Sequence, residues 1–455
     1  MALVPILNSA FYAFNTAYYA RWFYMPILMM CLATVSLTED DSVNWSSAYK
    51  WVFGITAAIT LTIGLFPQKD SKDNIIFGLY SQSEDGMYVF RYWVTCAIAI
   101  VSLIILGMLL KTLKSDRQGF YRGAVACVCI IAAVYGNFFI ACGRSHSYEI
   151  KEVMIDQLIE GSVDLEKSDG YRIDVYDGVD NTSMYLGYPG INAFHSVVPA
   201  SIFEFYDYIG VERSVGSRPE VKQAAIRPLL SVKYLLNRKN GESFLDEDDE
   251  PRMPNYEYVK TSGGYYIYEN KNYIPYGFSY DYYMSYDFCD SYSKSNRAQL
   301  MLKAILLDDK QIKKYSDILE NIEATDTPPY DYDEGTTLSL TDEAMEYDCE
   351  KRRETAALSF KTDNHGFTAR VTRDKANLVF FSVPYDEGWS AYVNGEPAEI
   401  EKVNAGFMAV KVDKGTSEIR FEYKTPGLVN GLMITGGACV LLLLYILIFT
   451  PVSYT

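Results

Sequence analysis

Two arginines and an excess of tyrosine are the side chains in this 455-residue chain whose types and spacing best suit ligand chemistry. Arg21 lies in Tyr18-Tyr19-Ala20-Arg21-Trp22 and Arg91 in Phe90-Arg91-Tyr92, each at the edge of a strongly apolar run. A guanidinium is planar, permanently charged and forked, so at a membrane edge it can clamp a lipid-linked phosphate, with Tyr18 and Tyr19 beside it. Snorkelling of a long cation to the interface is the competing reading. Tyrosine occurs 39 times, ten of them between Tyr265 and Tyr292. An aromatic face with a polar rim suits a sugar, whose C–H faces stack and whose hydroxyls bond. Tyrosine also favours strands, so a plain packed sheet explains the same run. Tyr188, His195 and Trp389 complete the set of glycan-binding candidates. Trp389 ends a Tyr-Asp-Glu-Gly-Trp turn, where it either stacks on sugar or fills a core.

Other chemistries find no support. The three histidines, His146, His195 and His365, are far apart and form no HExxH or Cys/His cluster, which argues against zinc. There is no GxSxG elbow, no GxGxxG and no GxxxxGK[ST], so neither a serine hydrolase of that type nor a nucleotide cofactor is indicated. No spacing selects one glycosidase pair from 58 acids. The run Asp246 to Glu250 lacks the alternating oxygen ligands of a calcium loop and reads as a solvated turn. No metal and no cofactor are expected.

The elements that must carry these residues fall into two classes. Mean hydropathy is near zero, but it averages unlike parts. Residues 143–425 hold 32 Lys and Arg against 50 Asp and Glu, a net charge of −18, whereas residues 426–455 hold no charged side chain. An acidic surface repels phosphate polymers and cannot gain from counterion release, which excludes nucleic acid as a partner. Apolar runs at about 22–37, 51–66, 92–110, 124–142 and 432–450 approach the roughly 20 residues that cross a bilayer and are edged by aromatic anchors, so about five spans are predicted. Residues 1–20, broken by Pro5, Asn8 and Asn15, read as an interfacial or re-entrant piece and not as a signal peptide. Lys111, Lys114, Arg117 and Arg122 face only Asp116 between the third and fourth runs, and the positive-inside rule makes that loop cytoplasmic. Six cysteines fall in or beside apolar runs; Cys289 and Cys349 would support at most one bridge.

The acidic block then lies outside the membrane and divides in two. Residues 143–325 mix alternating YRIDVYD (171–177) with apolar segments at 201–210, 228–238 and 297–308, the pattern of an α+β module. Residues 326–346 are rich in Pro, Asp and Thr and read as a linker. Residues 347–427 show short alternating segments between turn signals, an antiparallel β-sandwich, with Asn394-Gly395 as a type I′ hairpin turn. The predicted class is therefore a polytopic α-helical membrane protein: a membrane region at 1–142 with four spans, the two exterior modules, and a last span at 430–450.

Several segments also resemble a known family. VPILNSAFYAFNTAYYARWFYMPILMMCLA (4–33), GINAFHSVVPASIFEFYDYIGV (190–211), RPLLSVKYLLNR (227–238), YIPYGFSYDYY (273–283), VFFSVPYDEGWSAYVNGE (379–396) and IRFEYKTPGLVNG (419–431) look like the bacterial YfhO membrane-protein family. Full members resemble GT-C glycosyltransferases, polytopic enzymes of the bacterial plasma membrane that take a sugar from a polyprenyl-phosphate carrier outside the membrane. They pass it to an envelope polymer such as lipoteichoic acid. The resemblance covers the C-terminal half of the family pattern and implies three partners: the lipid bilayer, a polyprenyl-phosphate sugar and an envelope polymer. The family's catalytic acid lies in a first exterior loop that precedes this half, so no catalytic residue carries over. Asp70, Asp73, Glu84 and Asp85, the acids of the exterior loop in the membrane part, form no base or metal cluster. The chain alone is expected not to transfer sugar, and a non-catalytic, membrane-anchored glycan-binding module is the alternative reading.

The charge asymmetry yields a topological prediction. In intact cells, a cysteine placed at Ser115 should resist a membrane-impermeant thiol reagent, and one at Ser339 should be labelled; the reverse pattern would invert the orientation.

Overall fold

The computed structural model describes residues 23–40, 42–69, 74–78, 87–145, 162–195, 197–213, 216–324, 332–333 and 337–449. The chain divides into two units, residues 1–149 and 150–455. In the first, helices span Tyr24–Thr38, Trp45–Leu65, Met87–Leu110 and Arg117–Ser145, and the second ends in a helix over Leu428–Phe449. Four of these five are long and apolar enough to cross a bilayer. The fifth, Tyr24–Thr38, has 15 described residues, which at a rise of 1.5 Å each cover about 22 Å of a roughly 30 Å hydrocarbon core. Apolar side chains point outward all round these helices, which lipid satisfies and water does not.

Helix pairs in the first unit are held by small residues and by polar bonds to backbone, the currency left when lipid removes the hydrophobic gain. Gly64 admits the Tyr92 and Trp93 rings, since a Cβ there would stand 2.8 Å from Trp93. Tyr92 donates its hydroxyl proton to the Thr60 carbonyl at 2.6 Å, and Thr38 and Tyr121 share a hydroxyl bond of 2.8 Å.

The second unit is rich in β-structure. A mixed four-stranded sheet runs in the order Arg172–Tyr176, Val232–Arg238, Tyr265–Asn270, Tyr256–Ser262, the first pair parallel and the others antiparallel. Its alternation is local chemistry: Ile173 and Val175 face one core, with Tyr265 and Ile267. Toward the C-terminus, an antiparallel five-stranded sheet orders Ser359–Asp363, Gly366–Arg373, Gly415–Tyr423, Trp389–Val393 and Glu396–Ala398. It shares one core with a four-stranded sheet through Phe367, Phe381, Met408, Val410 and Phe421. Asn394 (φ 54°) and Gly395 (φ 86°) make the two-residue turn between Trp389–Val393 and Glu396–Ala398, as a type I′ hairpin requires.

The expected division into two modules with a linker between them does not describe this unit. The fourth strand of that four-stranded sheet is Phe278–Ser279, which pairs with Asn377–Pro384 from beyond the linker. One continuous core joins Phe205, Leu300 and Ile305 to Cys349, Phe380 and Phe407. The end of the expected linker is helical: Thr341 caps Asp342–Glu354 by accepting from Ala344 N at 3.3 Å, and Met345 and Cys349 enter the core. Burying its apolar stripe outweighs the polar composition that reads as a linker. Cys289 and Cys349 are both buried free thiols.

Buried charges tie the fold together. Lys303, fully buried, donates to Asp348 Oδ2 at 2.7 Å, itself 1 % exposed. Arg373 donates to Ser279 Oγ at 2.8 Å and to the Gly277 carbonyl at 3.0 Å, and its burial lowers its pKa to about 10. Removing one partner of a buried pair leaves the other charge uncompensated, at a cost of about 3–5 kcal/mol. Lys303→Met should therefore lower the unfolding free energy of the full chain, read from urea titration, by that order, and Lys303→Met with Asp348→Leu should recover most of the loss.

Candidate functional site

Arg172 opens the first strand of the mixed sheet and turns its guanidinium toward a pocket of about 180 Å³ shared with His195, Tyr206, Arg213 and Ser217. The strand holds the side chain in place. Arg172 Nη1 donates to the Leu230 carbonyl at 2.7 Å and to Ser382 Oγ at 3.0 Å, Nη2 donates to the Ser382 carbonyl at 2.8 Å, and the group lies 4.9 Å from the centroid of the Tyr276 ring. All of these acceptors are neutral. Among the described residues no carboxylate pairs with Arg172, so its charge remains available to the pocket. Arg213 bridges to Ser217 in antiparallel fashion and stacks its guanidinium 5.0 Å from the Phe203 ring.

His195 reaches the same pocket from the short strand Ala193–Phe194, which pairs with Gly216–Ser217. Two asparagines set that segment. Asn181, at φ 64°, accepts from Phe194 N at 2.8 Å and donates to the Phe194 carbonyl at 3.1 Å. Asn192 donates to Asp174 Oδ1 at 2.7 Å, while the other oxygen of Asp174 accepts from buried Arg227 at 3.0 Å. Arg227 in turn donates to the Pro219 and Glu220 carbonyls. This buried pair therefore fixes the approach of the histidine without entering the pocket.

The first turn of helix Ala200–Tyr208 forms one wall through Pro199 and Ile202, and Leu230 and Phe407 supply apolar floor. Burial raises the pKa of the Tyr206 hydroxyl, while Ser217 and the positive charges of Arg227, Arg172 and Arg213 pull it back. The same field draws an anion inward. Two guanidiniums, a histidine and apolar walls can take a phosphodiester or carboxylate and strip part of its water.

Of the described residues singled out from the sequence, His195 joins this pocket. Tyr188 is corrected: it is 4 % exposed, packs in the core beside Tyr171 and Leu186, and donates its hydroxyl proton to the Leu165 carbonyl at 2.8 Å. Trp389 packs at the edge of the C-terminal core, its ring 5.0 Å from Tyr423, 5.7 Å from Phe367 and 6.2 Å from Phe421. Arg91 donates to the Cys142 carbonyl at 2.8 Å, joining two helices. Tyr18, Tyr19 and Arg21 lie outside the described residues, as do Asp70, Asp73, Glu84 and Asp85. Arg172 and Arg213 escape a reading of the sequence, because the first sits in an ordinary alternating strand and the second in a polar loop. Only pairing between strands far apart in sequence brings them together. Among the described residues no group of three or more His, Cys, Asp or Glu could hold a metal ion.

Comparison with known proteins agrees with this architecture. The family model described as "Bacterial membrane protein YfhO" matches residues 1–331 and 321–435. The chain is 21 % identical over 433 residues to the protein named "Uncharacterized protein YfhO" of Bacillus subtilis (strain 168), an alignment covering 69 % of this chain and 48 % of that protein. The chain thus spans about half the length of the curated relative it matches. No solved structure matches.

The placement of Trp389 gives a measurable outcome. Deleting a large, partly buried ring from an aromatic cluster costs on the order of 3 kcal/mol, so Trp389→Ala should lower the thermal midpoint of the full chain, and Trp389→Phe should restore most of it. An unchanged midpoint with lost polymer binding would return Trp389 to a recognition role.

Proposed function

Because this chain belongs to the YfhO family of bacterial membrane proteins, we propose that it works in glycosylation of the cell envelope, as the part of a GT-C-like glycosyltransferase that holds the acceptor polymer. The sugar donor in this reading is polyprenyl-phosphate-linked, and the acceptor is an anionic surface polymer such as lipoteichoic acid. The observation that carries it is the cationic pocket of Arg172, His195 and Arg213 in a region whose net charge is −18. A surface that repels polyanions in general but carries a positive recess admits a phosphodiester only where its neighbouring sugar or glycerol also fits.

The chemistry divides as follows. An acceptor hydroxyl attacks the anomeric carbon of the donor, the bond from that carbon to the phosphate oxygen breaks, a base takes the hydroxyl proton, and the polyprenyl phosphate leaves as an anion. The pocket's part is positioning: fixing a charge on the polymer converts a diffuse encounter into an oriented one. Arg21 and Arg91 are the proposed holders of the departing phosphate, and the proposed orientation puts the β-rich unit on the outer face of the plasma membrane.

Binding of lipoteichoic acid to the full chain in lipid nanodiscs tests the reading. Arg213→Ala should weaken binding at least about tenfold, or roughly 1.4 kcal/mol, and flatten its dependence on salt, with Arg213→Lys intermediate. Undiminished binding by Arg213→Ala would remove the pocket from the function.

A further inference from the structure

We propose that the Tyr256–Ser262 and Tyr265–Asn270 hairpin carries a second binding site, for an uncharged sugar ring, with Tyr258 as its stacking platform and Lys239, Asp249 and Arg238 at its rim. The inference does not depend on the cationic pocket, which is built from other residues.

The site is a recess of about 570 Å³, within the roughly 300–1,000 Å³ of small-ligand sites. Strand alternation explains its lining. Tyr265 and Ile267 point into one core, so Tyr266 and Tyr268 take the opposite face, where Tyr258 stands directly across from Tyr268. A row of rings results: Phe244 lies 5.0 Å from Tyr268, and Tyr268 lies 5.8 Å from Tyr258, both edge to face. The loop carrying Phe244 and Met253 covers the inner end of the row and leaves Tyr258 56 % exposed.

That exposed ring is fixed. Its hydroxyl bonds to Thr261 Oγ1 at 2.9 Å, and a register shift between Tyr258 and Lys260 bends the strand beneath it. A bulge of this kind re-aims a side chain, and a rigid aromatic binds at little cost in conformational entropy.

The polar lining has capacity to spare. Among the described residues, the Lys239 ammonium and the Asp249 carboxylate make no hydrogen bond or ion pair, and Arg238 Nε is buried without a hydrogen-bond partner. Asp249 is held at φ 62° in the turn whose Asp246 carboxylate accepts from Asp248 N and Glu250 N.

Charge selects among ligands that stack. The acidic turn from Asp246 to Glu250 repels phosphate and so disfavours a nucleotide, while Lys239, which unlike Arg238 with Asp177 has no carboxylate partner among the described residues, disfavours an ammonium. What remains is a neutral ring with C–H faces for Tyr258 and hydroxyls for donors and acceptors of both kinds, which is a hexopyranose.

The test uses the full chain in nanodiscs, since alkyl-glycoside detergents would themselves fill the site. Maltotriose and cellotriose at millimolar concentration should show saturation transfer to their ring protons in NMR. The signal should fall at least tenfold in Tyr258→Ala and persist in Tyr258→Phe, while Arg213→Ala leaves it unchanged. Tyr258 is largely exposed, so its removal spares the fold. No transfer to either saccharide, equal transfer in Tyr258→Ala, or preferential binding of tetramethylammonium would overturn the proposal.

Discussion

Ser279 is where the β-rich unit is joined. Its backbone N–H donates to Thr355 Oγ1 at 3.0 Å, its carbonyl accepts from Arg352 at 2.9 Å, and its hydroxyl oxygen accepts from Arg373 at 2.8 Å. With Phe278 it forms the two-residue strand that enters the C-terminal sheet. Two arginines from different elements converge on one short strand because, once buried, each needs acceptors that water can no longer provide. The stacking of Arg352 on Tyr280, 4.8 Å to the centroid, and the bond from Asn377 to the Tyr280 carbonyl extend the same junction. These contacts join the short strand to the C-terminal sheets and to the helix Asp342–Glu354.

The pocket depends on that junction. Ser382, which anchors Arg172, belongs to the strand that Phe278–Ser279 completes, and Phe407 comes from the neighbouring strand. Arg172 therefore spans the two parts of the unit. A carboxylate as its partner would hold it equally firmly and cancel its field; carbonyls and a hydroxyl hold it and leave the charge. The contrast with Asp174 and Arg227, a neutralised pair that serves only to place backbone, lies within a few residues of the same strand.

The membrane helices obey a different balance. Apolar side chains cover them on every side, and the specific contacts between them among the described residues include a glycine against aromatic rings, hydroxyls against a carbonyl and a hydroxyl, and Arg91 against a carbonyl. In lipid, apolar contact with a neighbour gains little over contact with acyl chains, so close approach and polar bonds set the pairing.

What the sequence by itself determined are the features written in neighbouring residues. Long apolar runs declare helices that lipid must solvate, Asn394-Gly395 declares its turn through the φ angles those residues tolerate, and Asp246 to Glu250 declares a solvated loop. Tertiary structure alone decided which tyrosines face solvent: Tyr188 and Tyr258 are the same side chain, one sealed by the elements stacked over it and the other left open on an edge strand. It decided also that Arg172, His195 and Arg213 meet, and that residues 342–346, the end of the expected linker, begin a helix that packs into the core. The physical reason is common to these cases. Burial and charge pairing are properties of surfaces brought together across long stretches of chain, and their free energies exceed the local preferences that a stretch of sequence can express.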